Sequence, residues 1–201
     1  MSVLIKLDAQ RRPFIAAGEA SAPVVAATKA PASTAHGRGD ARIATYVKKP
    51  GEQKPEKDWR AEGFVPLADW LGGERNQPPV LFPTDDPLSL DGLLAGVAVI
   101  AVDFPKFSDG RGLSTAALLR RRLGYAGELR AVGDVARDQL FQMARCGFDA
   151  FQLRAGQDAE DALRAFTDFG EVYQSATDGH APIFRRRAEA VAAAERKAKK
   201  Q

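Results

Sequence analysis

The stretch "DFPKFSDGRGLS", residues 103–114, crowds two carboxylates, an arginine and two glycines between an apolar run and a helix-like run. Glycines at positions 110 and 112 permit backbone angles that let successive amides point into one concavity, and a helix starting just beyond adds the positive end of its dipole. With the bidentate fork of Arg111, such a loop holds a carboxylate, a phosphate or a sulfur oxyanion. A second reading needs no ligand. Gly110 and Gly112 then shape a turn, Ser114 or Asp109 caps the helix, and Arg111 is solvated. The passage is neither a Walker loop nor a GxGxxG fingerprint, so both readings stay open.

"GDVARDQ", residues 133–139, is the next polar cluster. Asp134 has the place of an N-cap, and Arg137, Asp138 and Gln139 fall in the first helical turn. A cation there is disfavoured by the dipole, so Arg137 needs a partner such as Asp103 or Asp109. Phe107 lies among polar residues and is placed to face a partner, whereas Phe104, Phe141, Phe148 and Phe151 read as core. Cys146, between Arg145 and Gly147, has neither the helix N-terminus nor the histidine that lowers a thiol's pKa, and reads as a packed small residue.

These groups have to be gathered by the elements around them. "GVAVIAVDF" (96–104) is a short continuous apolar run, as in a strand covered on both faces. A helix over 114–123 follows, with Ala116, Leu119 and Leu123 inward, Arg120, Arg121 and Arg122 spread around the wetter side, and Gly124 as its stop. "ELRAVG" (128–133) is a second strand and "FDAFQLR" (148–154) a third. Between them Asp134 opens a helix closed by Gly147. Asp158 opens the last core helix, whose apolar face runs Ala162, Leu163, Phe166, Phe169, Tyr173. "FVPLADWLGG" (64–73) forms a short helical turn with Leu67, Trp70 and Leu71 on one side, ended by Gly72.

Alternating strands and helices predict an α/β class with a parallel sheet of repeated βα units, either an open sheet or a partial barrel. Loops leaving the carboxyl ends of parallel strands converge on one rim, where ligands bind. The rim draws in Asp103, Asp109, Gly110, Arg111, Gly112, Ser114, Asp134, Arg137 and Asp138 as candidate ligand-binding residues. Gln139, Gln152 and Arg154 belong to the same loops, and Phe107 is the candidate partner contact. No residue is assigned to catalysis.

Composition narrows the rest. The chain has 201 residues, 45% of them apolar, enough for one ordinary core. Residues 1–57 read as a mostly disordered extension and linker, 58–180 as the α/β domain and 181–201 as a basic helical tail. Ala16 to Asp40 is rich in Ala, Pro, Ser, Thr and Gly without period, and "VKKPGEQKPEKDW" is a charged connector. The tail, with seven Lys or Arg against two Glu between Arg185 and Lys200, reads as a solvated end, and nucleic acid is not an expected partner. The longest apolar run, Leu93 to Val102, has ten residues where a membrane helix needs about 20, and the start lacks the order of a signal peptide, so the expected location is cytoplasmic. One cysteine excludes an intrachain disulfide or a CxxC pair, and His36 and His180 have no neighbours to complete a zinc site, so no metal is expected.

Residues 99–154 as a whole, and "DFPKFSDGRG", "GELRAVGDV" and "RDQLFQMARCGFDAF" in particular, resemble a bacterial family of unknown function whose members are commonly labelled probable oxidoreductases involved in sulfite reduction. The resemblance spans roughly residues 58–175, with weaker support at "VPLADWL" and "DDPLSLDGL". Leu113 stands where the family often has a bulkier residue and Ala136 where it often has leucine. The resemblance implies a role beside assimilatory sulfite reductase, the sirohaem and iron-sulfur enzyme that reduces sulfite to sulfide with six electrons, and it carries over no catalytic residues. Three functions follow. The first is an accessory protein acting with sulfite reductase or its electron donor, and it requires no cofactor. The second is an oxidoreductase whose flavin or nicotinamide phosphate sits at Gly110 to Ser114. The third is a sensor of a small oxyanion such as sulfite or sulfate.

Overall fold

The computed structural model describes residues 3–16, 59 and 63–198. Its centre is the pair β5 (Val99–Phe104) and β6 (Glu128–Gly133), parallel and in register from Val99 opposite Glu128 to Phe104 opposite Gly133. Side chains alternate across a strand. Ile100, Val102 and Phe104 therefore share the face that packs on helix α2 (Arg111–Arg121), while Ala101 and Asp103 share the other. Beside β5 lie β4 (Pro79–Leu81) and β3 (Val65–Pro66), and beside β6 lies β7 (Ala150–Gln152), all parallel. Strands β3 to β7 are neighbours in chain order without a reversal, so right-handed crossovers put their helices on one face. Helix α1 (Leu67–Gly72), α2 and α3 (Leu140–Cys146) accordingly feed one core through Leu67 and Trp70, Ala116 and Leu119, and Leu140 and Met143. On the opposite face Trp59 and Phe64 pack with Val80, Ala101 and Val132.

The sheet is mostly parallel and not closed, and it is mixed where a parallel one was expected. Strands β1 (Leu4–Leu7) and β2 (Pro13–Ile15) form a hairpin that adds β1 antiparallel to β7, giving the order β2-β1-β7-β6-β5-β4-β3. The crossover rule constrains strands joined through a helix, and β1 reaches the sheet without one. Its turn is tied by Asp8, whose Oδ1 accepts from the amides of Gln10 at 2.9 Å and Arg12 at 2.8 Å. Ile5 is fully buried opposite Phe151. The extension and linker assigned to residues 1–57 thus contain two strands, and the part read as disordered beyond Ala16 lies outside the described residues.

Helix limits also shift. Helix α2 begins at Arg111, three residues earlier than the spacing predicts. The helix capped by Asp158, α4 (Ala159–Arg164), tightens into a 3₁₀ turn over Ala165–Thr167 and does not continue to Tyr173. Phe169 and Tyr173 are consequently 63% and 74% exposed rather than part of a core face. Helix α5 spans Ile183–Ala198. Among the described residues no helix is long and apolar enough to cross a membrane.

Arg120 departs furthest from its expected place on the wet side. Its guanidinium donates to the carbonyls of Tyr125 at 2.6 Å, Gly127 at 2.8 Å and Gly147 at 2.9 Å, and pairs with Asp149. Asp149 also accepts from the Leu129 amide and faces Arg11, which donates to the carbonyls of Ala144 and Phe148. The amino ends of β6 and β7 and the end of α3 are thereby stapled together.

On the face away from the helices Glu128 joins Lys6 at 2.7 Å and Arg130 at 2.7 Å. Burial pushes this carboxyl up, but hydrogen bonds from Lys6 and Arg130 outweigh it and leave the pKa lowered. A carboxylate depressed in the folded state stabilises above its unfolded pKa and loses that contribution as pH falls through the folded value. Glu128→Gln is therefore expected to be less stable than the parent at about pH 7 and to converge on it toward about pH 3, in urea titrations run at both.

Candidate functional site

The carboxyl ends of β5, β6 and β7 share a rim, and hydrogen bonds stitch their loops together. At the end of β6, Gly133 takes a left-handed φ of +96° and turns the chain so that the Asp134 amide donates to the Phe104 carbonyl at 2.7 Å. The Asp134 carboxylate then accepts the Phe107 amide on Oδ2 at 2.9 Å and the Arg154 guanidinium on Oδ1 at 3.1 Å. Gln139 uses both ends of its side chain, donating from Nε2 to the Phe107 carbonyl at 2.7 Å and accepting the Ala136 amide at 3.2 Å. Beyond β7, the Arg154 amide donates to the Val135 carbonyl at 3.1 Å, and Gln157 accepts the Arg137 amide at 2.9 Å. The backbone of Phe107 is held on both sides while the residue stays 48% exposed.

The predicted oxyanion loop is built differently. Arg111 turns back on its own loop, donating from Nε to Asp109 Oδ1 at 3.0 Å and from Nη2 to Oδ2 at 2.7 Å. The Arg111 hydrogen bonds hold the Asp109 carboxyl down to about 2. Gly110 has an ordinary φ of −81°, and Gly112 lies within α2, so neither supplies the unusual backbone angles expected of an amide cradle. Gly112 serves packing instead, since a Cβ there would sit 2.6 Å from the Phe104 ring. Ser114 is exposed within α2 and does not cap it, whereas Asp109 Oδ1 accepts the amide of Arg111, the first helical residue, at 3.2 Å.

Asp134 is not the N-cap that its sequence position suggests. A 3₁₀ turn over Arg137–Gln139 precedes α3, and Asp134 spends its carboxylate on Phe107 and Arg154. Arg137 pairs with Asp168 at 2.7 Å and Asp161 at 3.1 Å, neither of them the partner predicted. These aspartates belong to the α4 segment, which carries Arg137 away from the β5 loop. Asp138 is exposed in the 3₁₀ turn. Asp103 is fully buried on the face opposite α2, where a Cβ on Gly133 would lie 2.7 Å from its Oδ1. The rim thus unites Phe107 with Asp134, and leaves the Asp109–Arg111 pair, Arg137 and Asp103 in separate surroundings.

A model of bacterial proteins of unknown function, DUF934, matches residues 80–184, from β4 through every rim loop to the start of α5. The chain belongs to the DUF934 family. No curated protein and no solved structure matches it. Strands β1 to β3 and nearly all of α5 lie outside the DUF934 match, whereas Phe107, Asp134, Gln139, Arg154 and Gln157 all lie inside it. A hollow of about 410 Å³ lies at the β3 edge of the sheet, between α1 and the loop that follows it, where the Arg75 guanidinium lies over Trp70 at 5.1 Å.

Sequence reasoning placed Gln139 and Arg154 on the rim of this DUF934 protein but not among the candidate binding residues. Their work is to hold Phe107 and Asp134, which no local pattern announces. Gln157 and Asp168 carried no signal, because their roles arise only once the β7 loop and the end of α4 are folded against the β6 loop. Phe169, read as core, instead stacks on Phe141 at 5.1 Å beside the Arg137–Asp168 pair. Cys146 is half-buried and accepts from Gln142 at 3.7 Å, and burial pushes its thiol up.

Proposed function

We propose that this protein is an accessory protein of assimilatory sulfite reduction that docks on sulfite reductase, or on its electron donor, through the rim presenting Phe107. One observation carries the reading: a half-exposed aromatic ring stands on a loop whose amide and carbonyl are both fixed by side chains of the next loop. Interfaces take most of their energy from a few anchors of this kind, and an anchor already held in place loses little freedom on binding. The neighbouring arginines are committed within the chain, Arg111 to Asp109, Arg154 to Asp134 and Arg137 to Asp168, which favours a docking role over capture of an oxyanion by an open fork. The sulfite context rests on the resemblance of "DFPKFSDGRG", "GELRAVGDV" and "RDQLFQMARCGFDAF" to proteins labelled for sulfite reduction. In this reading the protein brings position rather than redox chemistry, and the reductase keeps the electrons.

Calorimetric titration of the full chain into sulfite reductase holoenzyme, and separately into its electron donor, tests this. Phe107→Ala is expected to weaken binding about 30-fold, the loss of one anchor worth about 2 kcal/mol. Asp134→Ala, which frees the loop and leaves the ring, is expected to weaken it by about 5-fold through ordering entropy. Absence of binding to either protein, or equal affinity for the parent and Phe107→Ala, overturns the proposal.

A further inference from the structure

We infer that the first half of α5 is a second docking element, which seats its Phe184–Val191 stripe and flanking arginines on an acidic, apolar-floored surface of the reductase; this rests on the reading that the reductase is the partner. Among the described residues, the hydrogen bond, ring contact and ion pair that join this helix to the body lie at its start. The Ile183 amide donates to the Val172 carbonyl at 3.0 Å, Phe184 packs on Tyr173 at 6.1 Å, and Arg186 pairs with Glu171. From Phe184 to Val191 every residue is exposed. A helix of this length with so little packing is marginal in water, and most helical stability comes from burying one face. Phe184, Ala188 and Val191 recur at i, i+4 and i+7 and supply such a face, with Tyr173 extending it at the base.

The charges select the occupant. Helix α5 carries five basic residues against two acidic ones, and Arg185 and Arg187 flank the stripe in its first turns. Aromatic rings beside arginine are the composition enriched in interface anchors. A second copy of the chain is disfavoured because each α5 carries three more basic than acidic residues, five against two, so pairing two of them brings like charge together. A lipid surface is disfavoured because a helix lying in the interface buries Trp, Phe and Leu, and this stripe offers Phe184 and Val191 among alanines. An acidic protein groove answers both the excess of cations and the small residues, which allow close approach of another backbone.

The test uses the full chain and the reductase holoenzyme, with Arg185→Glu/Arg187→Glu and, separately, Phe184→Ala. All three sites are exposed, and circular dichroism checks that each variant keeps the parent fold. The charge reversal is expected to weaken binding at least 10-fold at about 0.1 M salt, mainly through slower association, and the parent's affinity falls as salt rises. Phe184→Ala is expected to weaken it about 5-fold through faster dissociation. Binding that Phe107→Ala weakens while the charge reversal stays within twofold of the parent overturns this inference and keeps the rim reading. Absence of binding by the parent overturns both. Co-sedimentation with phosphatidylserine vesicles, or dimerisation in ultracentrifugation, that is lost in the charge-reversal variant while reductase binding is unchanged assigns α5 to lipid or to self-association and overturns the inference.

Discussion

Arg120→Leu is expected to lower stability by about 4 kcal/mol, because it leaves three carbonyls without this donor and takes one partner from the part-buried Asp149 carboxylate. The Arg120 side chain is only 16% exposed, and its guanidinium reaches Tyr125, Gly127, Gly147 and Asp149 at once. Leucine fills part of the volume but donates nothing to these part-buried carbonyls, while Asp149 keeps the Leu129 amide and Arg11. Each such acceptor costs about 1–3 kcal/mol, while the loss of Arg120's own buried charge offsets part of that sum. A chain of this size loses about 2–4 °C of melting temperature per kcal/mol, so a fall of roughly 10 °C should accompany the drop in the urea midpoint. Arg120→Lys should recover only a fraction, since one ammonium cannot reproduce the planar fork. A loss below about 1 kcal/mol for Arg120→Leu would show that the staple is dispensable.

Gly133→Ala is expected to cost about 3 kcal/mol and to weaken partner binding as well. The residue sits at φ +96°, and a Cβ there would approach the Phe104 carbonyl oxygen to 2.5 Å and Asp103 Oδ1 to 2.7 Å. Left-handed strain adds about 1–2 kcal/mol and overpacking against the central strand about 1–3 kcal/mol. Relief requires β5 and β6 to part at their carboxyl ends, which lengthens the Asp134–Phe104 hydrogen bond and shifts the carboxylate that holds Phe107. Hydrogen exchange at the Phe107 amide provides a direct readout: protection should fall in Gly133→Ala by more than the global stability change accounts for. Unchanged protection would separate the turn from the loop it is argued to position.

How much of this was legible depended on whether the deciding contact is local. "ELRAVG" coincides with β6, Asp158 accepts from the amides of Glu160 and Asp161 as a cap should, and Leu67–Gly72 is the short helix that its spacing predicts. Strand alternation and caps are encoded within a few residues. Among the consecutive arginines 120–122, by contrast, propensity is identical, and only the packing of α2 on β5 and α3 decides which one meets Asp149. Arg137 was predicted to need a partner, and it has two, yet their identity depends on where α4 returns after β7. The glycines of "SDGRG" were legible as special but not in kind, because a tight helix-to-strand contact and a turn call for the same residue. Strands β1 and β2, four and three residues long, have too little pattern to stand out from an irregular terminus.

That hairpin also sets an order of events during synthesis. Strand β1 leaves the ribosome well before its partner β7, the last strand of the described sheet in chain order, with Ile5 opposite Phe151. Until residue 152 emerges, the β7 side of the nascent sheet has no cover and Ile5 has no core to enter. Removing β7 bares the edge of β6 and removing β1 bares the edge of β7, each a template for clumping between neighbouring chains.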